Sequence, residues 1–371
     1  MKVLFITNIP SPYRVDFFNE LGKSCDLTVL FEKRASDERD ELWKNYQFET
    51  FHGIFMKGIS VGAATSVCFS VTKYLKNSKF DIIVCTDFTS PTGIIAINYL
   101  KRHHIPYFLE CDGGFAKNGK GIRERIKRYT ITGAKGYFST GKACDEYYLA
   151  YGAEKDRTVR FPFTSVKKKD ILSSPLSQAE KNELKKQLGI SDSPTVITVG
   201  QFIHRKGFDI LLKAAGLLDR GVQFYFIGGE PTEEYLQIKS YLHLDNVHFI
   251  GFQSHDAIKK YYRAADLFVL PTREDIWGLV INEAIANGLP VVSTDKCAAA
   301  LEMVKDGVNG FIIPTEDHEA LSNRVTSILN DRERLMKMST LSLRIAQDFS
   351  IENMATVHIE VFKGMLNEKQ E

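Results

Sequence analysis

The stretch PTREDIWGLVINEAIANGLPVV, residues 271–292, indicates the fold of this chain more clearly than any other. It follows the apolar run DLFVL (266–270) and ends in a second apolar run, and both runs are typical of buried strands. Between them, a helix is expected to begin at Trp277 and Gly278 and to end at Gly288. A strand, a turn, a helix and a second strand make the repeating unit of a parallel sheet covered by helices.

The start of this helix also suggests a ligand. A helix that begins directly after a strand directs backbone N–H groups and a partial positive charge into the crevice at the carboxyl end of the sheet. Two carboxylates, Asp275 and Glu283, bracket the helix start and can accept hydrogen bonds from hydroxyl groups. The unit therefore suits a ligand that is anionic at one point and rich in hydroxyls around it, as a nucleotide sugar is.

The same alternation of short strands and amphipathic helices runs through both halves of the chain. It lapses at TSVKKKDILSSPLS (164–177) and is fully restored from Thr195. We therefore predict an α/β protein of two doubly wound, Rossmann-like domains that face a cleft. The expected parts are residues 1–168 as the first domain with a helix at about 350–371 packing back on it, a linker at 169–190, and a second domain at 191–349.

Composition narrows the class of protein. The chain has 371 residues, 44% of them hydrophobic and 25% charged, with a net charge of +2, as in a globular protein that does not bind nucleic acid. No apolar run approaches the ~20 residues of a membrane span, and the N-terminus resembles a first strand rather than a signal peptide. Six cysteines without a CxxC pair and nine histidines without an HExxH motif predict no metal site and a cytoplasmic location.

A second candidate for ligand binding lies earlier in the second half. A strand ends at Gly200, and Lys206 opens the next helix six residues later, with Arg205 beside it. A lysine at that point, expected in a solvent-filled cleft, can reach a phosphate as a point charge, and arginine can donate a fork of N–H groups. Two exposed cations at a solvated helix start give the same pattern. The glycine pair Gly228-Gly229 after the next strand would let a ligand or another backbone segment approach closely, although such pairs are often only turns.

In the first half, carboxylates follow a strand in YFLECDGGFAKNG (107–119). Glu110 and Asp112 stand before a glycine pair, where the cleft is expected. The alternative is a turn in which aspartate accepts local hydrogen bonds.

The adjoining stretch KNGKGIRERIKR (117–128) contains six cations and one acid. Ile122, Ile126 and Tyr129 fall on one face of the helix expected there. Such a helix can lie on an anionic membrane surface or can simply be a solvated charged face, and the pattern leaves both open.

One motif is interpreted as a chance match. GISVG (58–62) has the form of a nucleophile elbow, but HGIFMK before it is a poor candidate for the strand that this motif requires. The chain also lacks an Asp-x-Asp pair, so a metal-bridged diphosphate site is not expected.

Taken together, the motifs resemble those of family 4 glycosyltransferases, of the bacterial polysaccharide-biosynthesis type, over nearly the whole chain. Three elements carry the resemblance: Gly200-x5-Lys206, the segment from Asp275 through Glu283 to PVV, and ExxKDGxNGF at 302–311. The resemblance implies the GT-B fold and a retaining hexosyltransferase whose second domain binds a nucleotide sugar.

The resemblance also implies roles for residues of this chain. Lys206 and Arg205 would bind the diphosphate, Glu283 the ribose, and Asp275 the donor sugar. The donor site would comprise Gly200, Gln201, Lys206, Gly228, Ile250, Ile276, Trp277, Gly278, Leu279, Val280 and Glu283. No protein nucleophile is needed, because the leaving phosphate would take the proton of the acceptor while the cations stabilise its charge. The alternative chemistry is inversion, with Asp112 as general base.

Departures from the family pattern fall on both domains. Asp275 replaces the usual glutamate, and Gln201 stands where arginine is common. These two changes favour an alternative function, that of a protein that binds a nucleotide sugar without catalysis and acts as a partner or regulatory subunit. The acceptor side is expected at Pro12, Tyr13, Arg14 and Glu110, where the family usually differs.

The expected partners follow from the resemblance. The donor is expected to be a UDP-sugar, and the acceptor a saccharide or lipid-linked saccharide of a cell-surface polysaccharide. An anionic membrane surface on the inner face of the cell membrane is a further option, given the basic stretch. No metal and no other cofactor is expected.

Overall fold

The computed structural model describes residues 1–35, 46–76, 79–117 and 119–367. They form two compact units: unit 1 comprises Met1–Ser165 and Ser350–Glu371, and unit 2 comprises Val166–Phe349. The stretch expected as a linker, 169–190, thus lies within unit 2.

The strands of the described residues are as follows in chain order: β1 (Lys2–Thr7), β2 (Asp26–Phe31), β3 (His52–Phe55), β4 (Ile59–Ser60), β5 (Ser66–Val67), β6 (Ile82–Cys85), β7 (Phe108–Glu110), β8 (Gly136–Ser139), β9 (Thr158–Arg160), β10 (Thr195–Val199), β11 (Gln223–Ile227), β12 (Val247–Ile250), β13 (Leu267–Leu270), β14 (Val291–Thr294) and β15 (Gly310–Ile313).

The helices are α1 (Pro12–Leu21), α2 (Val71–Lys76), α3 (Pro91–Arg102), α4 (Ile122–Ile131), α5 (Lys142–Ala150), α6 (Gln178–Leu188), α7 (Phe208–Gly216), α8 (Glu233–Tyr241), α9 (His255–Ala264), α10 (Leu279–Ala286), α11 (Ala298–Met303), α12 (His318–Leu329), α13 (Arg332–Ala346) and α14 (Ile351–Asn367).

Unit 1 is built on a parallel sheet in the order β3-β2-β1-β6-β7-β8-β9. Its inner strands are apolar and buried on both faces, as expected when helices cover both sides of a sheet. The strand order reverses its direction between β1 and β6. Ligands of such sheets bind at the carboxyl ends of the strands beside this reversal.

Unit 2 repeats the architecture with a parallel sheet in the order β12-β11-β10-β13-β14-β15. Here the order reverses between β10 and β13. The turns that follow these two strands carry Lys206 and Asp275, so the topology itself brings the two predicted motifs to one edge. The predicted α/β fold with two Rossmann-like units is confirmed.

The C-terminal region divides between the units. α13 packs against α10 in unit 2, whereas α14 packs against α1 in unit 1. The divide falls between Phe349 and Ser350.

The dismissal of HGIFMK as a strand was wrong. Its first four residues form β3, which extends the sheet of unit 1 by pairing in parallel with β2. β3 lies at the edge of the sheet, where its side chains are only partly buried, and this explains the weak apolar pattern. Ser60 nevertheless belongs to the antiparallel hairpin of β4 and β5 rather than to a strand-to-helix turn, so it is not a nucleophile elbow.

Candidate functional site

The carboxyl edge of the unit 2 sheet is held together by close backbone approach. The Gly200 N–H donates to the carbonyl of Ile227 (2.9 Å), and the Gly228 N–H donates to that of Ile250 (3.1 Å). Gly228 has φ = 132°, and a Cβ there would lie 2.5 Å from the Gly200 carbonyl oxygen. Only glycine fits this contact, so the predicted donor-site positions Gly200, Gly228 and Ile250 come together.

Lys206 and Asp275 meet at this edge. Lys206 ends the short 3₁₀ turn His204–Lys206, and its Nζ donates to Asp275 Oδ2 at 2.6 Å. Gly207 follows with φ = 68°, and a Cβ there would lie 2.0 Å from the carbonyl oxygen of Pro271. The glycine therefore lets the turn lie directly on the β13 turn, and this approach sets the contact between the lysine and the aspartate.

Arg205 completes the cluster. Its Nη1 lies 3.6 Å from Asp275 Oδ1 and donates to the Glu274 carbonyl at 2.7 Å. The Arg205 side chain is 45% exposed, that of Lys206 12% and that of Asp275 9%. Three residues predicted to act on the donor are thus brought together, but Lys206 is an ion-paired, largely buried side chain and not the solvent-exposed one that the sequence suggested.

Arg273, which was not among the predicted site residues, holds the turn in place. Its guanidinium makes a two-pronged contact with Asp209 (2.8 Å for both N–O pairs), donates to the carbonyl of His204 (2.7 Å) and pairs with Glu316. Burial raises the pKa of Asp209, but hydrogen bonds and charge from Arg273 outweigh it and hold that pKa below its usual value. Thr272 adds a hydrogen bond from its hydroxyl to the Arg205 carbonyl (2.8 Å).

The start of α10 has no side-chain cap. Gly278 is the N-cap residue, and the indole of Trp277 is buried, donating from Nε1 to Asn282 Oδ1 at 2.9 Å. The Trp277 side chain therefore supports the helix from inside, and a ligand can meet this residue only through its backbone. Leu279 and Val280 in the first turn are half-buried, and Ile276 before it is exposed.

Glu283 lies on the second turn of α10, beside a shallow, open hollow within unit 2. The hydroxyl of Tyr262, a buried residue on α9, donates to Glu283 Oε2 at 2.9 Å. Lys259 and Asp170 line the same hollow and pair at 2.6 Å. None of these three neighbours was predicted, because tertiary packing brings α9 and the turn at Lys168–Asp170 to α10, and no local motif signals it. Gln201, by contrast, is exposed on its turn.

In unit 1, the four charged or hydroxyl-bearing candidates form one cluster. The guanidinium of Arg14 contacts both Glu110 Oε1 and Asp112 Oδ1, and the Tyr13 hydroxyl donates to Asp112 Oδ2 at 2.9 Å. Arg14 and Glu110 are buried, so they support the cluster and do not lie open to an acceptor. Tyr13 and Asp112 are the partly exposed members, and Pro12 is the exposed first residue of α1.

His358 of α14 joins this cluster from the far end of the chain. Its Nε2 lies 3.0 Å from Glu110 Oε2, and its Nδ1 lies 2.7 Å from the Met354 carbonyl. Both ring nitrogens therefore face oxygen atoms, one of a carboxylate and one of a backbone carbonyl. Burial raises the pKa of Glu110, but Arg14 and His358 outweigh it and bring that pKa down to about 2.

Two carboxyl groups at this edge, Asp112 of the cluster and the nearby Asp87, have raised pKa values. Burial, with a further contribution from the charge of Glu110, raises the pKa of Asp112 in spite of Arg14. Asp87, at the end of β6, was not predicted, and burial together with the charge of Asp112 raises its pKa to about 6. Both oxygens of Asp112 already accept hydrogen bonds, so a role as general base would require one of these bonds to be exchanged.

The basic stretch forms α4 and the loop before it. Ile122 is 76% exposed, whereas Ile126 is half-buried. Tyr129 is partly exposed and donates to Asn98 Oδ1 at 2.8 Å. Among the described residues, no helix has both the length and the apolar character needed to cross a membrane, and no three His, Cys, Asp or Glu side chains converge as metal ligands.

Residues 180–341 match the family described as glycosyl transferases group 1. The lipopolysaccharide core biosynthesis mannosyltransferase LpsB of Rhizobium meliloti is 32% identical over 201 residues, which are 50% of this chain and 56% of that one. An N,N'-diacetylbacillosaminyl-diphospho-undecaprenol alpha-1,3-N-acetylgalactosaminyltransferase of Campylobacter jejuni is 22% identical over 310 residues, 80% of this chain and 81% of the other.

A solved structure of HepE from Anabaena, in complex with UDP and glucose, has the same fold. It superposes with a TM-score of 0.76 at 18% identity and covers 98% of this chain and 99% of that chain. The fold is GT-B, as predicted, and the chain is a glycosyltransferase, an enzyme that transfers sugars. The narrower assignment to family 4 stays a prediction.

Proposed function

We propose that this glycosyltransferase moves a sugar, with retention of its anomeric configuration, from a UDP-sugar bound by unit 2 to a saccharide or lipid-linked saccharide. The observation that carries the proposal is the cluster of Arg205, Lys206 and Asp275 at the strand reversal of the unit 2 sheet, next to the start of α10. A cationic group and a helix start at one point suit a diphosphate.

The diphosphate would lie against Lys206, Arg205 and the backbone N–H groups at the start of α10. Lys206 has three N–H donors, and its contact with Asp275 uses one. Asp275 holds the ammonium in place and can also accept a hydrogen bond from a donor-sugar hydroxyl.

The ribose would lie at the hollow beside Glu283. Tyr262 fixes one oxygen of this carboxylate, so its orientation does not depend on the ligand. A preorganised carboxylate binds the two hydroxyls of a ribose at a lower entropic cost than a freely rotating one.

In the reaction, the bond from the anomeric carbon to the diphosphate oxygen breaks, and the acceptor oxygen bonds to the same face of the sugar. The acceptor proton passes to the leaving phosphate oxygen, so no protein nucleophile is required. Lys206, Arg205 and the start of α10 stabilise the negative charge that grows on the diphosphate. Because these groups already neutralise it, we propose that no metal ion is needed.

The relatives support a role in cell-surface polysaccharide biosynthesis. The name of the Rhizobium meliloti relative refers to the lipopolysaccharide core, and that of the Campylobacter jejuni relative to a sugar linked to diphospho-undecaprenol. The structure of HepE contains UDP. We extend these features to this chain as a cytoplasmic enzyme whose basic α4 contacts the anionic inner face of the membrane.

The test begins with thermal unfolding of the chain in a panel of nucleotides and nucleotide sugars, since only a ligand that prefers the native state raises the midpoint. The ligand that raises it most is then used for donor hydrolysis and for transfer to saccharide acceptors. We expect UDP-sugars to stabilise the protein and the product to keep the anomeric configuration of the donor. Stabilisation without hydrolysis or transfer would favour the non-catalytic alternative, and an inverted product would favour Asp112 as general base.

A further inference from the structure

The hairpin of β4 and β5 in unit 1 presents large apolar side chains to solvent. Ile59 is 69% exposed, Val61 54% and Phe69, just after the hairpin, 67%. Among the residues that the structure describes, the two strands pair with each other and lie outside the main sheet. An apolar group of this kind on a projecting element indicates a contact surface and not a core.

The hairpin is firmly held, so these side chains are presented on a fixed base. The N–H of Ser66 donates to the buried carboxylate of Glu32 (2.9 Å), and the hydroxyl of Thr92 donates to the Ser66 carbonyl (2.6 Å). Lys33 Nζ donates to the carbonyls of Gly62 (3.2 Å) and Ala63 (3.0 Å).

The charged side chains of the chain segment that contains the hairpin, residues 50–80, are all lysines. Lys57, Lys73 and Lys76 are exposed in the same segment. The sequence contains no aspartate or glutamate between Glu49 and Asp81. An apolar tip on a segment whose charged residues are all lysines matches the boundary between the headgroups and acyl chains of an anionic bilayer.

The topology puts the hairpin on the same side of the unit as the basic stretch. It leaves the sheet at the carboxyl end of β3 and is fastened beside the start of α3, which follows the carboxyl end of β6. α4, whose first residue Ile122 is exposed, likewise follows the carboxyl end of β7. This is also the edge that carries the cluster of Tyr13 and Asp112.

We infer that the hairpin tip around Ile59 and Val61, with Phe69, is a second membrane contact that inserts into the interface of an anionic bilayer. The inference rests on the proposed function, because it supplies the means by which unit 1 reaches an acceptor anchored in lipid. A second copy of the chain is a poorer occupant, since a symmetric contact would place the lysines of one copy against those of the other. The other possible occupant, an acidic protein partner, predicts that the parent chain does not bind anionic vesicles.

The test uses the full chain with vesicles of phosphatidylcholine, with and without phosphatidylglycerol. We expect binding only to the anionic vesicles, and we expect Ile59→Ser with Phe69→Ser to weaken it by about tenfold or more, the scale of losing two partly inserted apolar side chains. The matched control is Tyr241→Ser, because Tyr241 is 84% exposed but lies in unit 2. The thermal midpoints of all variants should match that of the parent chain.

A second readout reports insertion itself. The fluorescence of Ile59→Trp should shift to shorter wavelength on anionic vesicles and be quenched by lipids brominated in the acyl chain, whereas Tyr241→Trp should show neither effect. If the protein binds but the Ile59→Trp signal does not change, α4 alone makes the contact and the inference is overturned. It is equally overturned if the parent chain stays in the supernatant at low salt, or if the serine variant loses self-association instead of vesicle binding.

Failure of the membrane contact can be distinguished from failure of the proposed function. The serine variant should hydrolyse the donor and transfer to a soluble saccharide at the parent rate, and should be slower only with a lipid-linked acceptor. A parent chain that binds vesicles without transferring sugar would refute the proposed function and leave the membrane contact standing.

Discussion

Replacing Lys206 with methionine should lower the stability of unit 2 as well as the rate of transfer. Methionine keeps most of the stem but removes the ammonium that lies 2.6 Å from Asp275 Oδ2. The carboxylate that remains is largely buried, and Arg205 Nη1 stays beside it at 3.6 Å. The change therefore leaves a charge in a partly desolvated place with its closest partner missing.

The size of the effect follows from the geometry. Two unit charges 2.6 Å apart attract by about 6 kcal/mol at an effective dielectric constant of about 20. Desolvation offsets much of this attraction. Breaking a fully buried ion pair therefore costs ~3–5 kcal/mol of stability, whereas breaking an exposed pair costs ~0–1 kcal/mol. With side chains 12% and 9% exposed and Arg205 remaining, we expect about 2 kcal/mol, or a fall of about 4–8 °C in the midpoint. Turnover should fall ~10²–10³-fold, as when one electrostatic stabiliser of a transition state is lost.

A double-mutant cycle separates the contribution of Lys206 to stability from its contribution to turnover. The four proteins are the parent, Lys206→Met, Asp275→Asn and the double variant, each followed by thermal unfolding and by turnover. The double variant should be more stable than the sum of the single losses predicts, by about 1 kcal/mol, because no unpaired charge is left. Its turnover should nonetheless stay as low as that of Lys206→Met, because the diphosphate has still lost its cation.

Lys213→Met is the matched control, since Lys213 is a half-exposed lysine of the same unit that pairs with Asp209 at 3.6 Å. Lys213→Met should change neither the thermal midpoint nor the turnover appreciably. Strictly additive losses of stability would show that the ion pair contributes nothing. Near-normal turnover in Lys206→Met would remove this lysine from the donor site.

Three further predictions concern the ribose, metal and pH. Glu283→Gln should lower nucleotide affinity and reduce the preference for ribo- over 2′-deoxynucleotide, because each charge-assisted hydrogen bond is worth ~1.5–3 kcal/mol; an unchanged preference in calorimetry would refute the assignment. Transfer should persist in excess chelator, and a loss that added metal reverses would contradict the proposed mechanism. Burial raises the pKa of Glu32 from 4.5 to about 7, so this group stabilises unit 1 fully below about pH 4.5 and the contribution is lost as the pH rises through 7. Glu32→Gln should therefore leave the thermal midpoint unchanged at pH 4 and raise it at pH 8, and the same shift at both values would rule out ionisation as the cause.

The alternation of strands and helices sufficed to predict both Rossmann-like units, because parallel sheets need apolar runs separated by amphipathic ones. The order of the strands was not predicted; in the structure β10 and β13 pair at the reversal, and the turns that follow them bring Lys206 and Asp275 to one edge. HGIF was misjudged for a related reason: the strand lies at the edge of the sheet, where burial and therefore the apolar pattern are weak.

The supporting contacts of the site were beyond this kind of prediction. His358 meets Glu110 across 248 positions of the sequence, and Tyr262 meets Glu283 from a neighbouring helix. Arg273 stands inside the quoted motif, yet its partners Asp209 and Glu316 come from two other places in the chain. Side-chain direction and tertiary packing decide such pairs, and neither leaves a local signal in one sequence.

Each unit places cations and carboxylates at the strand reversal of its sheet, but the balance of charge differs. In unit 2, Arg205 and Lys206 face the single carboxylate of Asp275, and among the described residues their hydrogen bonds leave several N–H donors for a ligand. In unit 1, Arg14 lies between Glu110 and Asp112 and is buried with its guanidinium engaged by both. An anion is therefore favoured at unit 2, whereas the partly exposed Asp112 and Tyr13 of unit 1 suit neutral hydroxyl groups. This contrast supports the proposed division of the substrates, with the diphosphate donor on unit 2 and the saccharide acceptor on unit 1.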